Sequence, residues 1–291
     1  MLSLVLPKGS LEKQVLDLFS AADLTVLRGS DRDYHASIDD PRIERVRFLR
    51  PQEIPVFVDQ GVFDLGISGR DWITETGADV VSLGELGGGR ATDRPVRVVL
   101  AVPQASPWQR TADLPEGVRI STEMPNLTAR HLADHGVKAK VFASAGATEA
   151  KVPDIVDAIV DLTETGSSLR KAGLRIIDTL LTSRTELIAQ RASYDDPEKR
   201  AAIDDIALLL RSALAARGQV LLKLNAAATD LDAVLGILPS LSAPTVLSLS
   251  DPTWRAVESV VPKDGINTLI PALRAVGARD ILELAIRKIV E

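Results

Sequence analysis

Residues Asp157 to Leu169 read Asp-Ala-Ile-Val-Asp-Leu-Thr-Glu-Thr-Gly-Ser-Ser-Leu, an apolar run carrying two acids that ends in hydroxyls around a glycine. Ile159, Val160 and Leu162 suit a buried strand, and the turn after them leaves backbone N–H groups available at the start of a helical pattern. Such a turn can receive the phosphate of a sugar phosphate. Asp161, near the end of the strand, can reach the hydroxyls of a ribose or a Mg²⁺ ion carried in with a phosphate. A plain strand with a helix cap would use the same residue types, because Ser and Thr cap helices in any context.

Other segments offer related chemistry. Lys8 and Gly9, in Leu6-Pro7-Lys8-Gly9-Ser10-Leu11, stand at the expected C-terminal end of a strand, where open α/β sheets bind ligands. An ordinary β-to-α turn with a surface lysine is the other reading. Asp64 to Asp71 supplies Gly66 and Gly69 for close approach of backbone to phosphate, with Arg70 and Asp71 as charged groups at the same strand end. Gly84 to Arg90 is glycine-rich but matches neither the dinucleotide fingerprint nor the P-loop, and reads equally as a substrate loop or as a hinge between domains. His131 and His135 share a face of an expected helix. With no acid in the His-Glu-x-x-His position and no Cys to complete a ligand set, the expectation there is a solvated face and not a metal site. Asp195, Asp196, Asp204 and Asp205 gather near the start of a long helix, where acids complement the dipole, and no chemistry is assigned to them.

The elements that must position these groups alternate in type. Leu2 to Leu6 is a strand candidate, and Ser10 is the expected N-cap of a helix burying Leu11, Val15, Leu16, Leu18 and Phe19. Val46 to Leu49 reads as a strand, Pro51 to Gln60 as a helix opened by proline, and Asp64 to Gly69 as a buried strand. The alternation continues through strands at Val96 to Val102, Val118 to Ser121 and Ala139 to Phe142, with a helix at Asn126 to His135 closed by Gly136. Next come the strand before the hydroxyl turn, its helix, an apolar run at Leu187 to Ala189 and a long helix from Pro197 to Ala216. Alternating strands and helices predict layered α/β domains. After Gly218 the order becomes βαββαβ, with strands at Gln219 to Leu224, Thr245 to Leu249, Trp254 to Val261 and Asp280 to Ile286 around helices at Leu231 to Leu238 and Ile266 to Val276. That is the ferredoxin-like arrangement.

At 291 residues the chain can hold two or three cores. A net charge of −6 disfavours nucleic acid, and 3% aromatic residues leave little for stacking bases. No run approaches the length of a membrane helix, so no membrane partner is expected. Cys is absent, which excludes disulfides and thiolate chemistry. The opening Met1 to Gly9 lacks a basic leader and is interrupted by Pro7-Lys8-Gly9, so the expected compartment is the cytoplasm.

The stretch from Gly146 to Leu181, running through Gly-Ala-Thr-Glu-Ala-Lys-Val-Pro, the Asp154 to Leu169 segment and Leu-Arg-Ile-Ile-Asp-Thr-Leu-Leu, closely resembles the signature region of the ATP phosphoribosyltransferase family, which opens histidine biosynthesis. The resemblance implies a glycosyltransferase that joins the 5-phosphoribosyl group of PRPP to N1 of ATP, with Mg²⁺ as cofactor and pyrophosphate as leaving group. It places Asp161 and Lys8 in catalysis and Asp161 and Asp71 at the metal. It assigns substrate contacts to Gly9, Gly66, Gly69, Arg70, Arg97, Thr165, Gly166, Ser167, Ser168 and Leu169, with Ser168 keeping the hydroxyl of the Thr usual there. Ser242-Ala243-Pro244-Thr245 and Asp251-Pro252-Thr253-Trp254 resemble the regulatory part of the family's long form, which implies inhibition by histidine bound near Asn225, Thr245 and Ala278. The implied fold is two periplasmic-binding-protein-like (type II) α/β domains, residues 1–95 with 184–215 and residues 96–183, plus a ferredoxin-like regulatory domain at 216–291. A homo-oligomer between dimer and hexamer is implied as well. The rival from another class is a non-enzymatic two-lobe solute-binding protein, and a third reading is a salvage phosphoribosyltransferase acting on a free base.

Overall fold

The computed structural model describes residues 1–87 and 94–290, so the part of the glycine-rich stretch from Gly88 onward lies outside the described residues. The chain forms two compact units, Met1–Ala207 and Leu208–Glu291. With elements numbered in chain order, the first unit holds a seven-stranded sheet in the spatial order β2 (Val26–Leu27), β3 (His35–Ile38), β4 (Ile43–Leu49), β1 (Leu2–Pro7), β5 (Leu65–Gly69), β12 (Thr185–Gln190), β6 (Val80–Glu85). A five-stranded sheet in the same unit runs β11 (Leu174–Ser183), β7 (Val96–Pro103), β10 (Ala158–Thr163), β8 (Arg119–Thr122), β9 (Lys140–Ala143). Around the sheets lie α1 (Glu12–Ala21), α2 (Ile54–Asp59), α3 (Arg70–Thr76), α4 (Pro125–Asp134), α5 (Ser167–Lys171), α6 (Arg191–Asp195) and the first part of α7 (Pro197–Ala215), a helix that runs on past Ala207 into the second unit.

All six residues of β1 are buried, as expected of a strand paired in parallel on both edges, to β4 and β5. Only Arg184 separates β11, at the edge of the second sheet, from β12, which inserts into the first beside β5. The two lobes also share helix contacts. The buried Glu75 carboxylate of α3 accepts the backbone N–H groups of Asn126 (2.9 Å) and Leu127 (2.7 Å), so the first turn of α4 in one lobe is capped from the other. Trp72, one turn earlier on α3, packs into the second lobe's core with Leu127 and Val160.

In the second unit, β14 (Thr245–Ser248), β15 (Trp254–Pro262), β13 (Gln219–Ala227) and β16 (Arg279–Ala285) form an antiparallel sheet in that order. Helices α8 (Leu231–Ile237) and α9 (Ile266–Ala275) cover one face, burying Leu222, Leu224, Val234 and Leu273. This is the expected βαββαβ layout. Along β13 the alternate residues Leu221, Lys223 and Asn225 point to the other face, which also carries exposed Leu247, Leu282 and Leu284.

Three local expectations are corrected. Ser10 does not cap α1: Leu11 occupies the N-cap, and the turn is closed instead by the Glu12 carboxylate, which accepts the Gly9 N–H at 3.2 Å. Pro51 does not open a helix, because Arg50 to Glu53 forms a turn and α2 starts at Ile54 with Pro55 in its first turn. Leu174–Ser183, to which no strand is assigned from sequence, is a ten-residue strand. Its pairing with β7 shifts between Ile176 and Asp178 and again between Thr179 and Leu181, and those irregularities break the period-two alternation by which a strand is recognised.

Asp64 ties together the opposite, N-terminal end of the first sheet. Its carboxylate accepts the Ser3 N–H and hydroxyl, the Ser193 hydroxyl and the Lys199 ammonium, each at 2.7 Å. Burial works to raise its pKa, but the Lys199, Ser193 and Ser3 hydrogen bonds outweigh that and hold it at about 2, down from 3.8. The fold therefore binds the ionised form, whose stabilisation is complete above the unfolded pKa and is lost as pH falls through the folded one, about 2 kcal/mol in all. Asp64→Asn should lower the urea midpoint at pH 7, and its gap from the wild type should close between about pH 4 and pH 2; a gap independent of pH would assign the loss to packing. Glu75→Ala should cost about 1–2 kcal/mol through the lost cap, with faster amide exchange at Asn126 and Leu127 as the local readout.

Candidate active site

In β10, Ile159, Asp161 and Thr163 alternate onto one face of the five-stranded sheet. Antiparallel pairing sets Ile159 opposite Ala101, Asp161 opposite Val99 and Thr163 opposite Arg97. Val99, Ala101 and Ile159 belong to the small core that Leu169 of α5 covers, so Asp161, Thr163 and Arg97 continue that face toward its edge at the hydroxyl turn. The turn is built by local hydrogen bonds. Gly166 sits in the left-handed region at φ 72°, and its N–H donates to the buried Thr163 hydroxyl at 2.7 Å. The Thr165 hydroxyl donates to Ser167 Oγ at 3.2 Å, and Arg170 reaches back to the Thr165 carbonyl at 3.1 Å. Thr165, Ser167 and Ser168 are exposed, presenting hydroxyl groups and the first turn of α5 to solvent.

The Asp161 carboxylate is half-buried, and its Oδ1 accepts the Leu162 N–H at 2.7 Å. A hard carboxylate beside hydroxyl donors suits Mg²⁺, which is held by one or two protein carboxylates and otherwise by substrate phosphate and water. Asp71 is placed differently. It is buried where the chain crosses between lobes, its N–H donating to Ser183 Oγ and its Oδ1 accepting the Ser183 hydroxyl, both at 3.0 Å. Gly69 permits this approach, since a Cβ there would lie 2.0 Å from Asp71 Oδ1. Gly69, Asp71, Ser183 and Thr185 line a small crevice with Ser10 and Pro51. Next to it Arg70 forms an ion pair with the buried Glu186 at 2.6 Å.

Lys8 follows β1 and directs its ammonium to Glu12 at 3.2 Å and to the Asp31 carbonyl. Arg28, which the sequence does not single out, lies 2.6 Å from the same Glu12 and stacks over Phe48. Burial raises the Glu12 carboxyl, but the Gly9 N–H, Arg28 and Lys8 together bring it below its ordinary value. Lys8 and Gly9 thus belong to a charged cluster at the sheet's C-terminal edge.

Packing gives two of the expected contact residues a structural role as well. Gly66 lies under α2, where a Cβ would meet Ile54 and Val58 at 2.8 Å, so it lets the helix seat on β5. The Leu169 side chain is 1% exposed in the core, which leaves only its backbone for a ligand. Thr163, Ser183 and Arg170 are the groups around these sites that sequence reading passed over; a Thr closing an apolar strand before Thr-Gly was the available signal for the first.

Two α/β lobes joined at a strand crossing, with a hydroxyl-lined strand–turn–helix in one of them, form a layout that a transferase acting on a phosphorylated sugar can use. The chain matches the family described as ATP phosphoribosyltransferase over residues 50–212 and that family's C-terminal domain over residues 216–288. It is 48% identical over 290 residues to the ATP phosphoribosyltransferase of Chlorobium chlorochromatii (strain CaD3), covering 100% of this chain and 98% of that one. It is 47% identical over 290 residues to the enzyme of the same name from Solibacter usitatus (strain Ellin6076), with 100% and 99% covered. Among solved structures it is similar to the ATP phosphoribosyl transferase (HisG:HisZ) complex from Thermotoga maritima, at TM-score 0.60 and 26% identity over 71% of this chain and 98% of that one. The chain belongs to the ATP phosphoribosyltransferase family, in the form that carries the C-terminal domain. Its reaction is transfer of the 5-phosphoribosyl group from PRPP to N1 of ATP with release of pyrophosphate, and the solute-binding reading is set aside.

Gly166→Ala tests the turn. A side chain there must adopt a positive φ and sit 3.2 Å from both Arg170 Nη1 and Ile176 Cδ1. A loss of about 1–2 kcal/mol in urea unfolding is expected from the backbone conformation, together with a raised KM for PRPP. An unchanged midpoint and KM would show that neither depends on this conformation.

Proposed function

We propose that the face carrying Arg97, Asp161 and Thr163, with the Thr165 to Leu169 turn, is where PRPP is held and its anomeric carbon attacked. The observation that carries this reading is the β7–β10 register, which brings a guanidinium-bearing residue and a carboxylate-bearing one to the same sheet face as the turn. The hydroxyls of Thr165, Ser167 and Ser168 and the N–H groups of Ser167 to Leu169 take the 5-phosphate, with Gly166 supplying the positive-φ turn that aims them. Asp161 receives the ribose hydroxyls and offers a ligand to Mg²⁺. When bound, Mg²⁺ neutralises charge on the departing pyrophosphate. The residues around it orient the two substrates in line, so that the bond from N1 of ATP to the anomeric carbon forms as the bond to the pyrophosphate oxygen breaks. Arg97 adds positive charge beside the reacting centre.

Gly9, Gly69 and Arg70, with Lys8, face this site from residues 1–95 and 184–215; residues 96–183 form the PRPP lobe. The return of β12 to the first sheet supports that division. Asp71 serves mainly to fix the crossing at Ser183, with the metal held from Asp161.

Residues 216–291 act as a regulatory domain that binds histidine. Asn225 and Thr245 lie on the uncovered sheet face, in different rows of the register, and the Asn225 amide donates to Asp280 at 2.9 Å. Ala278 is buried in the domain's core beside that corner. Exposed Leu247, Leu282 and Leu284 on the same face support assembly of a homo-oligomer through it, in the range from dimer to hexamer. No described helix is long and apolar enough to cross a membrane, and the enzyme works in the cytoplasm on these readings.

The deciding experiment follows pyrophosphate release from PRPP and Mg²⁺, with and without ATP, for the wild type and Asp161→Ala. Release should require both ATP and Mg²⁺ and should fall at least about 100-fold in the variant, with its circular dichroism unchanged. Near-normal turnover by Asp161→Ala would remove that residue from the site. Histidine should inhibit the wild type and lose potency against Asn225→Ala; equal inhibition of both would place the effector elsewhere.

A further inference from the structure

His131 and His135 lie one helical turn apart at the end of α4, with ring centroids 4.4 Å apart. Tertiary structure adds what the local sequence lacks. Asp178, from the middle of β11, brings Oδ2 to 3.2 Å from His131 Nε2, and one donor atom from each of His131, His135 and Asp178 falls within 4.8 Å of the others. Ligands bound to Zn²⁺ at 2.0–2.2 Å in a tetrahedron are roughly 3.3 Å apart, so the His131–Asp178 edge already has the length such a site requires. His135, the third member, is an exposed residue at the helix C-cap.

The surroundings are arranged as a ligand support. His135 Nδ1 bonds to the His131 carbonyl at 2.8 Å, which leaves the ring's lone pair on Nε2. The Thr111 hydroxyl donates to Asp178 Oδ2, and the Thr179 N–H donates to Oδ1 at 2.7 Å. Both register shifts of β11 flank Asp178, and irregularities of this kind re-aim a side chain out of the regular pleat. Asp178 pairs with Leu100, whose side chain is in the core beneath α4, whereas Asp161 pairs with Val99 in the core beneath α5. The cluster and the substrate face are therefore on opposite sides of one sheet.

We propose that His131, His135 and Asp178 form a binding site for a divalent transition-metal ion, Zn²⁺ first among them, with water as the fourth ligand. Two imidazole nitrogens and one carboxylate favour Zn²⁺, Co²⁺ or Ni²⁺ over the hard Mg²⁺ of catalysis. The ion joins the C-terminal end of α4 to β11, at the opposite end of the helix from the Glu75 cap.

Calorimetric titration of the untagged full chain with Zn²⁺, in millimolar Mg²⁺, tests the site. One Zn²⁺ per chain at micromolar concentration is expected, with Co²⁺ giving the intense visible absorption of a tetrahedral site. His135→Ala, at an exposed position, should unfold at the same urea concentration as the metal-free wild type while losing the stoichiometric ion and the Co²⁺ spectrum. Asp178→Asn should lose both as well. Absence of stoichiometric binding at micromolar Zn²⁺, or wild-type binding by His135→Ala, would overturn the proposal and leave the His131–Asp178–Thr111 contacts as a hydrogen-bonded tie alone.

Discussion

The proposed site depends on the register of β10 against β7. Side chains alternate faces along a strand, so Asp161 and Thr163 share the Arg97 face only because Thr163 is paired with Arg97 and Asp161 with Val99. A slip of one residue would turn Asp161 toward the core that contains Val98, Leu100 and Val160. An unpaired carboxylate there costs several kcal/mol, whereas the observed register buries Ile159 against Val99, Ala101 and Leu169. Apolar burial thus selects the pairing that leaves the carboxylate at the edge of the core, beside the turn.

The relation between the lobes is set by a few polar contacts in apolar surroundings. Arg184 alone links β11 to β12, and Asp71 and Ser183 close the crossing through paired hydrogen bonds. Glu75 caps α4 across the interface while Trp72 fills the core behind it. These contacts make α3 a shared element of both lobes. The charged cluster of Lys8, Glu12, Arg28 and Asp31 stands at the C-terminal edge of the first sheet, so its orientation follows from the parallel strands that end there.

Much of this was readable from the chain. Continuous apolar runs marked β1, β7 and β10, and Thr-Gly-Ser-Ser marked the strand-to-helix turn with glycine where φ is positive. The ferredoxin-like order of the second unit followed from spacing alone. Elsewhere packing adds what the chain alone does not show. Gly66 seats α2 on β5, and the Leu169 side chain packs inward from the hydroxyl turn. Strand β11 was hidden by the irregular pairing that interrupts its alternation.

The sequence by itself determined element types, the chemistry of the hydroxyl turn and the family to which the chain belongs, because those depend on residues close together along the chain. Only the tertiary structure decided which distant residues meet. Arg97 faces Thr163 across a sheet, Glu75 finds the unpaired N–H groups of a helix in the other lobe, and Asp178 meets His131 with His135 close by. Strand register, bulges and the burial of apolar faces settle such meetings, and these are properties of the packed chain that no single segment contains.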